Sequence, residues 1–312
     1  MRQLIKQIPI PMSGLMLALF SITNLATIFE QQFLSELFFY LGVITWGLLT
    51  AKIIFAWSTV KQDLQNPVVA SVAPTFTMGI MVFASILAQF SVFAYVVWTA
   101  AFIIQLALIA YFIQRFMWKK QLTLSAIYPS WFILFVGLGI VPVTAGTVFP
   151  MISQVIFYVV FISYVMLLPV VIVRLRQQTL EEGVKPLITI VAAPGSLCLV
   201  GYLQITTHLN STFVVGLFVL SQILYVVAVS KLPKLVALPF YPSFAAFTFP
   251  LVISATAAAR MAELTDYMLL QALANAEFVI ALVIVLYVVV RYLIFLKKIV
   301  MPQVRFVAKY HH

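Results

Sequence analysis

Long uninterrupted apolar runs are the feature that most limits what this chain can fold into. A helix must keep about 20 residues predominantly apolar to cross a bilayer, and ten runs of roughly that length follow one another here. Only 8% of the 312 residues are charged and 64% are hydrophobic, which is outside the range of a soluble globular domain and excludes a water-soluble catalytic module. The sequence therefore predicts an all-α membrane protein with ten transmembrane helices. The predicted spans are residues 12–28, 34–57, 68–88, 91–114, 129–147, 149–173, 187–205, 211–230, 240–259 and 267–296.

The basic residues predict how these spans are oriented. A formal net charge of +10 would suggest nucleic acid in a soluble protein, but here the Lys and Arg residues fall in alternate connections. Of the 18 basic residues, only Arg260 lies on the opposite side. The positive-inside rule then places both termini in the cytoplasm, in a multi-pass protein of the cell inner (plasma) membrane. Membrane topology explains this basic face without nucleic acid, and lipid recognition by it stays open.

Prolines open every second span and reveal an internal repeat. Their separations are 56, 62, 57 and 56 residues, which is the length of one helical hairpin. Such a period in register with the hydropathy predicts repeated architecture. We expect one transmembrane domain, residues 1–312, built from five hairpins at approximately 9–57, 67–114, 129–173, 186–230 and 242–296. The prolines are Pro11, Pro67, Pro129, Pro186 and Pro242.

A second set of prolines lies inside the odd-numbered spans, at Pro74, Pro142, Pro194 and Pro250. A proline kinks a helix and frees a carbonyl, which a bilayer tolerates only beside protein or a water-filled cavity. The odd spans are also rich in small polar residues, whereas the even spans are rich in Leu, Val, Ile and aromatic residues. This contrast predicts quasi-fivefold symmetry, with five kinked helices around a central pore. The alternative is that small residues only allow close helix packing.

Four short motifs recur through the chain, at residues 9–19, 74–79, 193–196 and 246–251. They resemble the tellurite-resistance/dicarboxylate transporter family, which includes the bacterial TehA proteins, fungal malate and sulfite transporters and the plant guard-cell slow anion channels. The resemblance covers essentially the whole chain, and Phe-Thr-Phe-Pro in span nine is its most specific part. It implies a ten-helix protomer with quasi-fivefold symmetry and a central pore lined by odd helices, assembly as a homotrimer, and a phenylalanine that plugs the pore, which corresponds to Phe249.

The odd spans supply the candidate site residues. They contain no carboxylate or lysine, so Ser and Thr hydroxyls and backbone freed at the kinks would bind anions weakly, as conduction requires. Phe249 is either the gate or one of many core aromatics, because the chain has 27 phenylalanines. We predict small inorganic or carboxylate anions as permeants. The predicted pore-lining residues beside Phe249 are Ala73, Thr75, Gly137, Ala193, Gly195 and Thr248.

Two ionisable residues remain open. Glu277 lies within span ten, where a carboxylate is a functional candidate by default; it could link transport to protons, pair with Arg260, or make a polar contact at a protomer interface. Arg260 ends span nine and could attract anions at the outer mouth or anchor the helix at the interface.

Nothing in the sequence indicates an enzyme, a cofactor or a metal site. His208 has no Cys, Asp or Glu partner at a metal-ligand spacing, and there is no Gly-rich phosphate loop. The favoured function is an anion channel or channel-like transporter with a phenylalanine gate. The alternative is a proton-coupled carrier of C4-dicarboxylate, sulfite or tellurite-related anions, and a third is a structural or signalling membrane subunit.

Overall fold

The computed structural model describes residues 5–118 and 123–309, which form helices and connections without a β-strand. Three residues used in the charge argument, Arg2, Lys119 and Lys120, lie outside this range. The α-helices are α1 Met12–Ile28, α2 Gln32–Phe55, α3 Trp57–Asp63, α4 Pro67–Val72, α5 Thr75–Leu87, α6 Phe93–Phe112, α7 Trp131–Phe135, α8 Ile140–Ala145, α9 Pro150–Gln177, α10 Ala193–Ile205, α11 Ser211–Val236, α12 Thr248–Thr265 and α13 Met268–Lys309. A π-helical segment, Ile113–Trp118, extends α6, and 3₁₀ segments lie at Leu124–Ala126, Gly137–Gly139, Glu182–Ala192 and Pro242–Phe247.

Eight helical stretches in the described part of the chain are long and apolar enough to cross a membrane. The first predicted span coincides with α1, but this helix has only 17 residues and falls just short of the length of the others. The fifth predicted span is divided into α7, a 3₁₀ turn and α8. The division follows the sequence, because Gly137, Gly139 and Pro142 all weaken a continuous α-helix.

Burial separates the helices into two layers. We compared how much of the most apolar 18 residues of each stretch is buried. The share is 67% in Pro67–Leu87, 83% in Glu182–Ile205 and 78% in Pro242–Thr265. The same measure is only 22–33% for the five stretches that contain α2, α6, α9, α11 and α13. Helix α1 is buried along nearly its whole length. The odd-numbered predicted spans are therefore inside and the even-numbered ones outside, as their composition indicated.

The inner layer closes on itself. Helix α1 packs against α5 and α12, α5 against α8, α8 against α10, and α10 against α12. Each outer helix packs against the inner segment that precedes it in the chain, for example α2 on α1 and α13 on α12.

Glycines permit the closest approaches within the inner layer. A Cβ on Gly79 of α5 would lie 3.3 Å from Leu17 Cα of α1, and one on Gly14 would lie 3.3 Å from Ala245 Cβ. Small residues at such crossings let apolar helices gain van der Waals contact, which is the main attraction between helices in lipid.

One ion pair fastens the basic end of the first hairpin. The Lys52 ammonium at the end of α2 is buried, and it donates to the Asp63 carboxylate over 2.6 Å and to the Ile8 carbonyl over 2.5 Å. It thereby joins α2 to the end of α3 and to the segment that precedes α1.

Candidate functional site

A cavity of about 60 Å³ lies at the centre of the inner layer. Every one of the five inner segments contributes to its wall, so the cavity lies where their axes converge. The wall is almost wholly apolar, with Thr75 and Ser243 as its hydroxyl residues. It is formed by Pro11, Gly14, Leu17, Val68, Val72, Thr75, Met78, Phe132, Ile133, Val136, Gly137, Leu187, Ile190, Ala193, Pro194, Leu197, Ser243, Ala245, Ala246, Phe249 and Pro250.

Breaks in the inner helices frame this cavity. In three inner segments a short helix or 3₁₀ stretch ends and a new α-helix begins at Thr75, Ala193 or Thr248. Pro74 immediately precedes α5, and Pro142, Pro194 and Pro250 lie in the first turns of α8, α10 and α12. In a first turn the missing N–H of proline costs no helical hydrogen bond. The internal prolines thus start new helices after a break.

Side-chain hydroxyls bond to backbone carbonyls at these breaks. Thr75 donates to Val72 O over 2.8 Å, Thr77 to Pro74 O over 2.9 Å, and Thr248 to Ala245 O over 2.7 Å. The Thr189 hydroxyl lies within bonding distance of Pro186 O and of Ala246 O in the neighbouring inner segment. These bonds add to the satisfaction of an irregular backbone at membrane depth, and of these four threonines Thr75 also lies in the cavity wall.

Phe249 is the second residue of α12, and its side chain is buried in the cavity wall. Pro250 follows it in the same wall, directly after the helix start at Thr248. The neighbouring Phe247 has a different environment, because it is fully buried against Phe244 with ring centroids 4.9 Å apart and does not contribute to the wall.

The structure brings some of the predicted lining residues together at the cavity and places others elsewhere. Thr75, Gly137 and Ala193 line it with Phe249. Ala73 and Thr248 are buried outside its wall. A Cβ on Gly195 would meet the hydroxyls of Ser221 and Tyr164 on the outer helices, so Gly195 faces away from the axis.

Several wall residues were missing from the sequence prediction, among them Leu17, Met78 and Leu197. Leu197 lies four residues after Ala193, and Met78 three residues after Thr75, so both follow a predicted residue by one helical turn. Helical spacing could therefore have predicted both residues. They were missed because the prediction used only the small and polar residues of the motifs.

A second polar site lies between the layers, around Glu277 on α13. Its side chain is 1% exposed, and both carboxylate oxygens lack a hydrogen bond of normal geometry to any described residue. The Ser254 hydroxyl of α12, the Gln222 amide of α11 and Tyr225 lie near it. The Gln222 Nε2 and Tyr225 hydroxyl are likewise without partners. Burying a carboxylate in this way is expensive unless a proton, cation or water accompanies it.

Arg260 does not pair with Glu277. It is exposed near the end of α12 and donates to the Glu263 carboxylate over 2.8 Å. Among the residues that the structure describes, no group of three or more His, Cys, Asp or Glu could hold a metal ion.

The cavity can therefore hold a small solute against an almost wholly apolar wall that includes the Phe249 ring. Its volume exceeds the space that one water molecule needs, although larger cavities with apolar linings stay dry.

Comparison with known proteins gives one informative match. A family model described as voltage-dependent anion channel matches residues 7–293, which is nearly the whole chain and includes every residue of the cavity wall. No curated protein matches the chain.

Proposed function

Because the chain belongs to the voltage-dependent anion channel family, we propose that it passes small anions across a membrane through its central cavity, with Phe249 as the gate. The family match agrees with the resemblance found from the short motifs. The observation that carries the proposal is the cavity itself, whose wall takes residues from all five inner segments and includes Phe249.

Occlusion by the Phe249 ring would keep the resting pore closed. The cavity is apolar, so an anion that entered it would lose hydration without gaining strong ligands. Turning the ring aside, or moving α12, would join the cavity to the outer half of the pore and let water in. Opening is then a wetting transition controlled by one side chain.

The absence of charge from the wall fits weak, unselective conduction. None of the cavity residues is acidic or basic, so neither repulsion nor tight binding would stop a small anion. Basic residues at the entrance would raise the local anion concentration. Small inorganic or carboxylate anions are therefore the proposed permeants.

The finer architecture belongs to the same proposal. We infer ten membrane crossings in quasi-fivefold arrangement, with α1 and the segment 131–145 as crossings one and five, and with both termini in the cytoplasm at the inner membrane. The closed sequence of inner-layer contacts supports this arrangement. Homotrimer assembly rests on the family resemblance alone.

The direct test is anion flux through purified protein in liposomes or a planar bilayer. Phe249→Ala removes the ring from the cavity wall, and we expect conductance to rise on the order of tenfold or more, since each 1.4 kcal/mol of barrier removed is worth a factor of ten. Phe247→Ala is the matched control, because it truncates a neighbouring phenylalanine that packs against Phe244 outside the wall. Equal currents in the two variants would rule out Phe249 as the gate.

The second candidate function, a proton-coupled carrier of C4-dicarboxylate, sulfite or tellurite-related anions, is favoured by the buried Glu277 cluster. A carboxyl with no described counter-ion could take up and release a proton during transport. Uptake measured with and without a pH gradient separates the two functions. In a carrier, Glu277→Gln abolishes the proton-driven part of uptake, whereas in a channel the same variant conducts as before and uptake ignores the gradient.

A further inference from the structure

We propose that the groove between α3 and the end of α6 binds an anionic phospholipid. This groove is open to the surface, has a volume of about 610 Å³, and is separate from the central cavity. Its size falls in the range of small-molecule pockets. It is lined by Trp57, Lys61, Leu64, Gln65, Ile104, Ala107, Leu108, Tyr111, Gln114 and Arg115.

Two helix faces of regular spacing form the groove. Trp57, Lys61 and Gln65 follow one another at intervals of four residues. This spacing places them on one side of α3 and of the turn that follows it. On α6, Ile104, Leu108 and Tyr111 occupy one stripe at intervals of four and three residues. The Tyr111 hydroxyl donates to the Leu64 carbonyl over 3.3 Å and joins the two faces.

Polarity changes along the groove in the way that a phospholipid requires. Its apolar part is formed by Ile104, Ala107 and Leu108, and its polar end by Gln114 and Arg115. Ile104 and Arg115 are eleven positions apart, which is roughly 16 Å along a helix. A head group at the basic end would therefore place an acyl chain over an apolar floor that leads toward the membrane interior.

The two cations that line the groove are available to a ligand. Lys61 and Arg115 are exposed and form no salt bridge with any described residue. Asp63, the acidic residue nearest to Lys61 in sequence, is already occupied by the buried Lys52. The Lys61 ammonium lies 5.7 Å from the Trp57 ring centroid, and Trp and Tyr are typical of the membrane interface. Basic pockets on the cytoplasmic side of transmembrane helices are suited to anionic head groups.

The backbone gives the groove a further irregularity. Arg115 belongs to the π-helical segment Ile113–Trp118, and such wide turns are frequent at functional sites. Arg115 follows Tyr111 by four residues, and both side chains line the groove.

Charge favours a lipid over a second copy of the chain. The groove carries two cations and no carboxylate, and Lys231 and Lys234 near the end of α11 lie on the same side in the proposed topology. A second copy would have to bring like charges together, whereas an anionic lipid would neutralise them. A free phosphate would match the cations but would leave the apolar floor unused.

Native mass spectrometry of the full protein in detergent tests the site. Phosphatidylglycerol and phosphatidylcholine with identical acyl chains are titrated against the wild type, and we expect phosphatidylglycerol to bind more tightly. In Lys61→Gln/Arg115→Gln its apparent Kd should rise roughly 25-fold, given about 1 kcal/mol for each of the two basic residues near an anionic surface and a factor of ten for each 1.4 kcal/mol. Lys231→Gln/Lys234→Gln removes the same charge from exposed positions on α11 and should leave the affinity unchanged.

A second variant tests the apolar part without a change of charge. Ala107 is exposed, so Ala107→Trp should fold normally and fill the groove, and phosphatidylglycerol affinity should fall. Equal losses in both charge pairs would mean general surface attraction and would overturn the site. Competition by glycerol phosphate together with full affinity in Ala107→Trp would indicate a free-anion site, and a changed oligomeric state with unchanged lipid binding would indicate a contact between copies. Either result would overturn the lipid assignment, while the Phe249 gate would be judged separately by flux.

Discussion

Lys52 has a role that its position in the sequence does not disclose. Counted among the basic residues of a connection, it contributes to orientation through the positive-inside rule. In the structure its ammonium is buried and bonded to Asp63 and to the Ile8 carbonyl. Its charge is therefore part of the packing at the start of the inner layer.

Removal of this ammonium should destabilise the protein. Lys52→Met keeps the aliphatic stem but leaves the Ile8 carbonyl and the partly exposed Asp63 without their partner. Loss of such hydrogen-bonded charge costs about 1–3 kcal/mol, which we expect to see as a lower melting temperature in detergent. Lys231→Met, at an exposed position on α11, is the control. Equal melting temperatures for the two variants would show that the Lys52 pair contributes nothing.

Single residues of the candidate site were predicted only in part, and the reason is helical phase. The sequence gives the spacing of Ala193 and Gly195 but not the direction in which either points. Residues two positions apart on an α-helix are rotated by about 200° about its axis. Because Ala193 lines the cavity, Gly195 faces the outer layer, where a Cβ would meet Ser221 and Tyr164. Conversely, Glu277 was recognisable by its charge, but Gln222, Ser254 and Tyr225 around it required the tertiary structure.

At the scale of elements, the internal prolines predict where the inner helices are interrupted. They do not predict whether the interruption is a kink or the start of a new helix. The prolines predicted kinks in continuous helices, whereas α10 and α12 begin as new α-helices after 3₁₀ segments. A 3₁₀ stretch has different hydrogen-bond partners from an α-helix, and propensity alone does not separate the two. Three side-chain hydroxyls bond to backbone carbonyls at the breaks, those of Thr75, Thr189 and Thr248.

The contact between α1 and α5 depends on a missing side chain. Gly79→Val would place a Cβ 3.3 Å from Leu17 Cα and closer still to the Met16 side chain. We expect a loss of about 1–3 kcal/mol, typical of overpacking, measured as a lower melting temperature and reduced recovery of folded protein on size-exclusion chromatography. Gly47→Val is the matched control, since nothing lies within 4 Å of a Cβ at that position on α2. If the two variants had the same melting temperature, close packing at Gly79 would not limit stability.

At the scale of the whole molecule, the division into inner and outer layers was the most predictable property. It follows from composition, because lipid-facing helices can be uniformly large and apolar, while helices surrounded by other helices need small residues and satisfied breaks. The sequence could not show that α1 contacts α12 and closes the inner layer, since that contact joins residues more than 200 positions apart. Gly137, Gly139 and Pro142 mark the segment 131–145 as a weak helix, but the sequence does not show where that segment divides into short helices.

That divided segment makes the number of crossings the sharpest whole-molecule prediction. Cys198 is buried, so cysteines introduced elsewhere can be labelled over a low background. Ser125 and Thr147 are exposed on either side of residues 131–145. If this segment crosses the membrane, Thr147→Cys should react with a membrane-impermeant maleimide in spheroplasts, and Ser125→Cys only after permeabilisation. Labelling of both cysteines from one side would remove crossing five and reverse the orientation of α9. Labelling of the wild type is the control for the reactivity of Cys198. Labelling of each variant after permeabilisation gives the maximum labelling of its introduced cysteine.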